Sequence, residues 1–261
     1  MSVPGLALDA PGDQPGFEEV ETPLSAAAPR TAAFLMGTTS VSEGLRTVAM
    51  RLRVDGRAAA VRTLAVTSSI EGEGKTSVTL GLAAAFAQAG TRVLVIDADL
   101  RQRSIHETLG LRPSPGLTDW LEATTTVLPL RRIVPAGFHL LSAGELPCRP
   151  DLLGGPRMLR LLRAAELRFE RVIVDCAPLL PVADTLALRA HVSSFLLVAR
   201  SRLTPRAALR RAFSLVGEEH VLGVILNGHS SRLPNRSRYS YAYGYGYGYG
   251  GRGGRAGSKP R

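Results

Sequence analysis

A glycine-rich segment between an apolar run and a helical pattern constrains the fold more than any other feature of this chain. It extends from Ser69 to Thr76 and reads Ser-Ile-Glu-Gly-Glu-Gly-Lys-Thr. This fits the phosphate-binding pattern G-x-x-x-x-G-K-[ST], except that serine stands at the first glycine position. In such loops, successive backbone N–H groups surround phosphate oxygens, and the following helix adds its positive N-terminal end. The segment therefore predicts a strand, a phosphate-binding loop and a helix in succession.

Apolar stretches alternate with helical patterns along most of the chain. The predicted strands lie at 63–67, 92–96, 138–141, 172–174, 195–199 and 221–226. The predicted helices lie at 42–53, with Ser42 as its cap, and at 75–89, 156–169, 182–192 and 205–216, with short helices and loops over 104–123. Apolar strands separated by helices are typical of a parallel sheet covered on both faces. We therefore predict an α/β fold in which the carboxyl ends of the strands share one edge and bind the ligand there.

Composition divides the chain into three parts. Residues 1–40 are rich in Pro, Ala and Gly and are predicted to form a disordered N-terminal segment. Residues 41–230 contain the strand and helix pattern and form the predicted P-loop domain. Residues 231–261 contain arginine and lysine but no acidic residue, so most of the net charge of +10 lies in this tail, which is also predicted to be disordered. A solvated extension accounts for the tail charge, although anionic lipid, nucleic acid or an acidic partner would also suit it.

All the tyrosines of the chain lie in this tail, at alternate positions and separated by Ser, Ala or Gly. Glycine between the phenol groups leaves nothing against which a core could pack. A flexible segment of about ten residues separates the domain from the first tyrosine and spans ~18 Å on average, so the phenols can reach a site on the domain. We interpret them as phosphoacceptors. These are Tyr239, Tyr241, Tyr243, Tyr245, Tyr247 and Tyr249.

The loop pattern also assigns chemical roles to its side chains. Lys75 is the only lysine before the tail, and in such a loop the ammonium reaches the β- and γ-phosphates. The hydroxyl of Thr76 is expected to bind Mg²⁺. The predicted nucleotide-binding residues of this segment are Ser69, Glu71, Gly72, Glu73, Gly74, Lys75, Thr76 and Ser77.

Three aspartates follow predicted strands. Asp97 and Asp99 come at and just after the end of one strand, and Asp175 ends another. Either of the first two could simply cap the next helix, but the three together suit a site for phosphoryl transfer. Such a site needs one carboxylate near the metal ion and one near the attacking hydroxyl.

These segments resemble the Walker A, A′ and B motifs of the bacterial tyrosine kinases of exopolysaccharide and capsule biosynthesis. Walker A is matched by residues 67–76, Walker A′ by residues 95–101 and Walker B by residues 172–178. The family also has a C-terminal tyrosine cluster, and the resemblance covers residues 42–230 and continues into the tail. It implies the P-loop fold in its partition-ATPase-like branch and an ATP-dependent protein-tyrosine kinase that phosphorylates its own tail.

The resemblance further implies the roles of individual residues. The catalytic residues would be Lys75, Asp97 and Asp99, with Asp97 assisting deprotonation of the acceptor tyrosine. Asn227 matches a position that contacts adenine. The cofactors would be ATP and Mg²⁺. The implied magnesium ligands are Thr76, Asp99 and Asp175.

Partners follow from the same resemblance. They include a membrane-embedded chain-length determinant protein as activator, protein tyrosine substrates and a cognate tyrosine phosphatase, whereas no nucleic-acid partner is expected. A homo-oligomer is left open, because Glu43 and Arg46 match a family oligomerisation motif E-x-x-R-x-x-R but Ala49 replaces its second arginine. The chain would act in the regulation of polysaccharide synthesis or export.

Two other interpretations compete with the kinase. A partition or positioning ATPase of the same superfamily would carry a second lysine five residues before Lys75, where this chain has Ile70. A non-enzymatic binding module would explain the Arg-Gly and Tyr-Gly repeats but not the loop and the aspartates. Cys148 and Cys176 lack metal-ligand spacing, and no signal peptide or membrane span is visible. We therefore expect a cytoplasmic chain that a partner recruits to the inner face of the plasma membrane.

Overall fold

The structure of the chain is a computed structural model, and it describes residues 14–24, 29–113, 115–145 and 149–229. The strands are β1 (Gly16–Pro23), β2 (Thr63–Ser68), β3 (Val93–Ala98), β4 (Val127–Val134), β5 (His139–Leu141), β6 (Arg171–Cys176), β7 (Ser194–Arg200) and β8 (Val221–Asn227). The α-helices are α1 (Pro29–Leu35), α2 (Ser40–Val54), α3 (Gly56–Ala59), α4 (Lys75–Gln88), α5 (Ser104–Leu109), α6 (Leu117–Leu121), α7 (Pro156–Arg168), α8 (Asp184–Ala187) and α9 (Arg206–Val216). Short 3₁₀ turns lie at Pro150–Gly154, Leu188–Ala190 and Glu218–His220.

The described strands form one sheet in the order β1-β4-β5-β3-β6-β2-β7-β8. Neighbouring strands are parallel, except for β4 and β5. The predicted α/β P-loop fold is confirmed, but the expectation of a wholly parallel sheet is wrong at this one pair. Only residues 135–138 connect β4 to β5, and so short a connection can join antiparallel neighbours only.

Helices cover both faces of the sheet and create two apolar cores. On one face, Val95 and Ile173 belong to a buried cluster with Leu82 and Phe86 of α4. On the other face, Ile96 and neighbouring strand residues pack in a second cluster that includes residues of α6, α7 and α9. Every residue of β2, β3 and β6 is buried, which explains why these strands read as continuous apolar runs. The central strands therefore hold their carboxyl ends in fixed positions.

The N-terminal segment differs from the prediction of disorder over residues 1–40. Residues 16–23 form the edge strand β1, parallel to β4, and residues 29–35 form helix α1, whose Leu35 is fully buried. Two residues of the acidic cluster have partners far away in sequence: Glu21 pairs with Arg132 at 2.6 Å, and Glu19 lies 3.4 Å from the imidazole of His139. Local composition cannot indicate such pairing. Residues 1–13 and 25–28 lie outside the described residues.

Other helix boundaries also differ from the prediction. Thr39, and not Ser42, caps α2: the Thr39 hydroxyl accepts a hydrogen bond from the Ser42 N–H at 3.1 Å, while the Ser42 hydroxyl donates to the carbonyl of Phe34 at 2.7 Å. The helix predicted over 182–192 forms only the short α8 and the following 3₁₀ turn. Within the described ranges, no helix is both long and apolar enough to cross a membrane.

Candidate active site

The loop between β2 and α4 has the backbone geometry of an anion cradle. Gly72 and Gly74 adopt φ values of 77° and 90°, which L side chains rarely allow. A Cβ atom on Gly74 would lie 2.2 Å from Nδ2 of Asn227, so a side chain cannot be accommodated there. A Cβ atom on Gly72 would meet nothing within 4 Å, so this part of the loop faces open space. The loop therefore fits a phosphate group bound by backbone N–H groups at the start of α4.

Asn227, at the end of β8, lies directly against this loop. Its Nδ2 donates a hydrogen bond to the carbonyl of Glu73 at 2.9 Å, and its Oδ1 accepts one from the N–H of Gly228 at 2.8 Å. The residue predicted to contact adenine is thus adjacent to the phosphate loop. Its amide also supports the loop, which the sequence did not indicate.

Lys75, in the first turn of α4, is buried and points to the aspartates. Its Nζ lies 2.8 Å from Oδ2 of Asp99, and both side chains are almost fully buried. Burial disfavours the charged ammonium, but attraction by Asp175, Asp99 and Asp97 outweighs it and raises the pKa of Lys75. The lysine is therefore a permanent cation at neutral pH, held by a carboxylate at the carboxyl edge of the sheet.

Asp99 has a second function within the same motif. Its Oδ1 accepts a hydrogen bond from the N–H of Gln102 at 3.1 Å and so stabilises the turn after β3. It does not cap α5, because the residue before that helix is Arg103, in a left-handed conformation with φ of 47°. The alternative of a simple helix cap therefore does not apply to Asp99, whose other oxygen binds Lys75.

Asp175, at the end of β6, forms a set of oxygen atoms with two threonines of α4. Its Oδ2 accepts a hydrogen bond from the Thr76 hydroxyl at 2.7 Å and its Oδ1 accepts one from the Thr79 hydroxyl at 3.0 Å. Burial raises the pKa of Asp175 to about 6, although Lys75 and both hydroxyls act in the opposite direction. A hydroxyl and a carboxylate in contact are oxygen ligands of the kind that Mg²⁺ prefers. The residues present therefore fit a magnesium ion that completes its shell with nucleotide oxygens and water.

Asp97 is the most unusual group of the site. It is paired in register with Asp175 on the neighbouring parallel strand and is fully buried. Neither carboxylate oxygen makes a hydrogen bond of normal geometry among the described residues, although the backbone N–H groups of Ile105 and Asp99 lie nearby. Burial raises the pKa of Asp97 well above its ordinary range, the charges of Asp175 and Asp99 raise it further, and the nearby backbone N–H groups of Ile105 and Asp99 offset only part of this. Such a carboxylate can accept a proton from a hydroxyl brought next to it.

The structure brings most of the predicted site residues together. Gly72, Glu73, Gly74, Lys75, Thr76, Asp97, Asp99, Asp175 and Asn227 all lie at the carboxyl edge of the sheet. Ser69 is buried, whereas Glu71 and Ser77 are exposed. The predicted phosphoacceptors Tyr239, Tyr241, Tyr243, Tyr245, Tyr247 and Tyr249 lie outside the described residues. The chemical roles of all these residues stay predictions.

Sequence reasoning missed several side chains that contact the site. Thr79 lies one helical turn after Thr76, and this spacing could have placed it on the same face of α4. The hydroxyl of Ser104 lies 3.3 Å from that of Thr76. Arg200, the last residue of β7, and Thr204, in the connection that follows it, contact the loop. No local pattern indicates these three residues.

The described residues contain no cluster of three or more His, Cys, Asp or Glu side chains arranged to hold a metal ion. Cys176, directly after Asp175, is a free thiol whose pKa is raised well above its ordinary value, chiefly by burial and then by the charges of Asp175 and Asp99. This thiol is therefore protonated at neutral pH. Cys148 lies outside the described residues.

Comparisons with known proteins find a nucleotide-binding domain and tyrosine kinases similar to this chain. A profile described as the CobQ/CobB/MinD/ParA nucleotide binding domain matches residues 64–241. The tyrosine-protein kinase YwqD of Bacillus subtilis is 31% identical over 205 residues, which cover 76% of this chain and 84% of YwqD. The kinase domain of the Escherichia coli tyrosine kinase ETK superposes with a TM-score of 0.72 at 28% identity, covering 87% of this chain and 93% of that domain.

EpsB of Ralstonia solanacearum is 34% identical over 202 residues, which cover 76% of this chain. The match covers only 26% of EpsB, so this chain spans about a quarter of the length of that relative. The profile match, the YwqD alignment and the geometry of the loop and aspartates agree. This chain belongs to the CobQ/CobB/MinD/ParA nucleotide-binding domain family and, within it, to the bacterial tyrosine kinases.

Proposed function

We propose that this chain is an ATP-dependent protein-tyrosine kinase that phosphorylates tyrosine, including Tyr239 to Tyr249 of its own tail. The observation that carries the proposal is the position of Asp97. It is a buried carboxylate without a hydrogen-bond partner among the described residues, and it lies in register with Asp175, which binds the phosphate-loop threonine. A carboxylate base at this position suits phosphoryl transfer to a hydroxyl group, and the row of tail tyrosines supplies such hydroxyls.

The donor side of the reaction uses the loop and its helix. Backbone N–H groups of the loop bind the phosphates, and Lys75 offsets negative charge on the β- and γ-phosphate oxygens. To reach them, its ammonium exchanges part of its contact with Asp99. Thr76, Asp99 and Asp175 would hold magnesium, which supplies charge neutralisation at the transferring phosphoryl group when bound. Asn227 lies beside the loop at the end of β8, and its side chain would contact the adenine of the bound nucleotide.

The acceptor side uses Asp97. The phenolic oxygen of a tyrosine forms a bond to the γ-phosphorus while the bond from that phosphorus to the β–γ bridging oxygen breaks, and ADP leaves. The phenol proton passes to the Asp97 carboxylate, whose raised pKa suits it to accept a proton. Phosphotyrosine and ADP are the products.

The wider role that we propose rests on the resemblance to the bacterial tyrosine kinases, and relatives such as YwqD and etk are named tyrosine-protein kinases. The chain would regulate synthesis or export of a surface polysaccharide. It would work with a membrane chain-length determinant protein as activator, with protein tyrosine substrates and with a cognate tyrosine phosphatase. It would act at the inner face of the plasma membrane. An ATPase switch of the partition type is less well supported, because Ile70 stands where those proteins have their second lysine.

Mass spectrometry after incubation with ATP and Mg²⁺ tests the proposal. The purified wild type is expected to gain phosphotyrosine within 239–249, and Lys75→Met is expected to abolish it. A variant with all six tail tyrosines changed to phenylalanine is the matched control, since it should bind nucleotide normally and gain no label. ATP hydrolysis without tyrosine phosphorylation, even with the membrane activator present, would establish the ATPase switch instead.

A further inference from the structure

Three residues at or just after the carboxyl ends of β7 and β8 contact the phosphate loop. They are Arg200, Thr204 and Asn227, and we call them the β7–β8 clamp. Arg200 ends β7, Thr204 follows in the connection to α9, and Asn227 ends β8. All three are more than 120 residues away from the loop in sequence and contact it directly.

The clamp binds two successive carbonyl groups of the loop. Nη1 of Arg200 donates to the carbonyl of Gly72 at 2.8 Å, and Nδ2 of Asn227 donates to the carbonyl of Glu73 at 2.9 Å. In a planar trans peptide, the N–H group points opposite to the carbonyl. The N–H groups of Glu73 and Gly74 therefore point away from the clamp, where they are available to an anion.

The side chain of Glu73 completes this arrangement from within the loop. Its carboxylate is buried, with only 1% of the residue exposed. One oxygen accepts a hydrogen bond from the N–H of Ile70 at 2.9 Å, and the other accepts one from the Thr204 hydroxyl. Thr204 in turn accepts a hydrogen bond from the N–H of Arg200 at 2.7 Å. A continuous chain of hydrogen bonds thus connects the end of β7 to both sides of the loop.

A buried carboxylate beside a phosphate-binding loop would ordinarily oppose the binding of a phosphate group. An unrestrained Glu73 side chain would repel a nucleotide, whereas here both of its oxygens are occupied by donors. Flexible loops lose conformational entropy when they bind a ligand, and a loop already fixed by such bonds loses less. The carboxylate therefore favours binding only while Thr204 and Ile70 hold it in place.

We propose that Glu73, Thr204 and Arg200 are positioning residues that set the affinity for a nucleoside di- or triphosphate by fixing the loop in its phosphate-binding conformation. This inference rests on the proposed nucleotide site and extends it to the base of the loop. It does not require these side chains to touch the reacting atoms.

Binding of a fluorescent ADP analogue with Mg²⁺ to the full chain tests the inference. Thr204→Val and Glu73→Ala are each expected to weaken binding by about ten-fold or more, since each removes a hydrogen bond to a charged group. Thr204→Ser keeps the hydroxyl and is expected to restore affinity to within about two-fold of the wild type. Thr47→Val is the matched control, because the hydroxyl of that exposed threonine of α2 donates to the carbonyl of Glu43 in its own helix.

Thermal unfolding separates positioning from general stability. Thr204→Val is expected to leave the unfolding temperature of the nucleotide-free protein within a few degrees of the wild type while reducing the additional stabilisation by Mg²⁺–ADP. If Thr204→Val and Glu73→Ala bind the analogue as tightly as the wild type, or if Thr204→Ser is as weak as Thr204→Val, the inference is wrong.

These measurements involve no phosphoryl transfer. A wild type that binds the analogue but labels no tyrosine would contradict the proposed kinase and leave the clamp result standing. A wild type that labels tyrosine while Thr204→Val and Glu73→Ala bind the analogue normally would contradict this inference alone. Failure of the wild type to bind any nucleotide would overturn both.

Discussion

The two sides of the carboxyl edge differ in how their polar atoms are paired. On the side of β7 and β8, the carbonyls of Gly72 and Glu73 and both carboxylate oxygens of Glu73 accept hydrogen bonds. On the side of β3 and β6, both oxygens of Asp97 are buried without a partner in the described part of the chain. These carbonyl and carboxylate oxygens of the first side are paired within the protein, whereas the carboxylate of Asp97 on the second side retains unused hydrogen-bonding capacity.

This difference indicates that the two sides have different roles, with the side of β7 and β8 acting on nucleotide affinity and the side of β3 and β6 on phosphoryl transfer. A paired loop needs little rearrangement when a phosphate arrives, so its residues act on affinity. An unpaired buried polar group costs about 1–3 kcal/mol of stability and persists only where the surrounding structure enforces it. Here strand β3 holds the carboxylate of Asp97 in its unpaired position, because every residue of that strand is buried. The aspartate side is thus destabilised in the nucleotide-free chain and becomes useful only when a hydroxyl or a cation is present.

The largest expected effect comes from removing the unpaired carboxylate. Asp97→Asn cannot accept a proton, so kcat for tyrosine phosphorylation is expected to fall by about 10²–10⁴-fold. The affinity for Mg²⁺–ADP should stay within about two-fold, because the loop is unchanged. Initial rates of phosphotyrosine formation and ADP titrations measure the two quantities separately.

Stability provides the control for this variant. Asp97→Asn keeps a buried polar group of the same shape, so the free energy of unfolding of the nucleotide-free protein is expected to stay within about 1 kcal/mol of the wild type. An inactive but less stable protein would show that Asp97 has a structural role. Full activity would remove it from the reaction.

A second variant disrupts the phosphate loop on the side of β7 and β8. Gly74→Ala places a Cβ atom against Nδ2 of Asn227 at a backbone angle that alanine rarely adopts, so ADP affinity is expected to fall by about 100-fold. Gly90→Ala is the matched control. Gly90 also has a positive φ, of 82°, but an added Cβ atom would meet nothing within 4 Å. This control should lose stability without losing nucleotide affinity, and equal losses of affinity would contradict the role of the contact with Asn227.

The paired and unpaired sides also differ in how far the sequence predicts them. Lys75 and Thr76 follow from local spacing within one loop, and Asp97 and Asp175 follow from their position at strand ends. These placements need only the rule that parallel strands end at one edge. The contacts of Glu73 with Thr204 and of Gly72 with Arg200 join residues that become neighbours only after the sheet has assembled.

The N-terminal segment illustrates the same limit. Glu19 and Glu21 read as part of a polar, disordered stretch, yet Glu21 pairs with Arg132 of β4 and Glu19 lies beside the imidazole of His139 in β5. The antiparallel turn between those strands was not predicted either, because β4 has only three fully buried residues and an irregular pattern of burial. Local patterns predict the buried centre of the sheet better than its edge, where partners distant in sequence determine the structure.

A smaller effect concerns the pH dependence of stability on the aspartate side. Asp175 has a pKa of about 6 in the folded chain, above its ordinary value of 3.8. Between these values the folded state holds a proton that the unfolded state releases. The resulting stabilisation is fully present below about pH 4 and is lost as the pH rises through about 6.

This dependence is best measured in the Asp97→Asn background, so that only one carboxylate of the pair titrates. Relative to the Asp97→Asn/Asp175→Asn variant, the free energy of unfolding should increase by about 1 kcal/mol when the pH is lowered from 7 to 5. Chemical denaturation at both pH values measures it. An opposite sign would mean that Lys75 and the hydroxyls of Thr76 and Thr79 together outweigh burial.

The smallest expected effect is the contribution of one hydrogen-bond donor, the Thr79 hydroxyl, to stability at Asp175. Thr79→Val keeps the shape of the side chain but removes its hydrogen bond to Asp175, so it should lower the free energy of unfolding by about 1 kcal/mol at pH 7. The hydroxyl stabilises the charged carboxylate, so the loss should be larger at pH 7 than at pH 5. Thr47→Val, on the exposed face of α2, should change stability less and equally at both pH values. Equal losses for Thr79→Val at both pH values would mean that Thr79 acts through packing, and that Asp175 depends mainly on Lys75 and Thr76 for its charge.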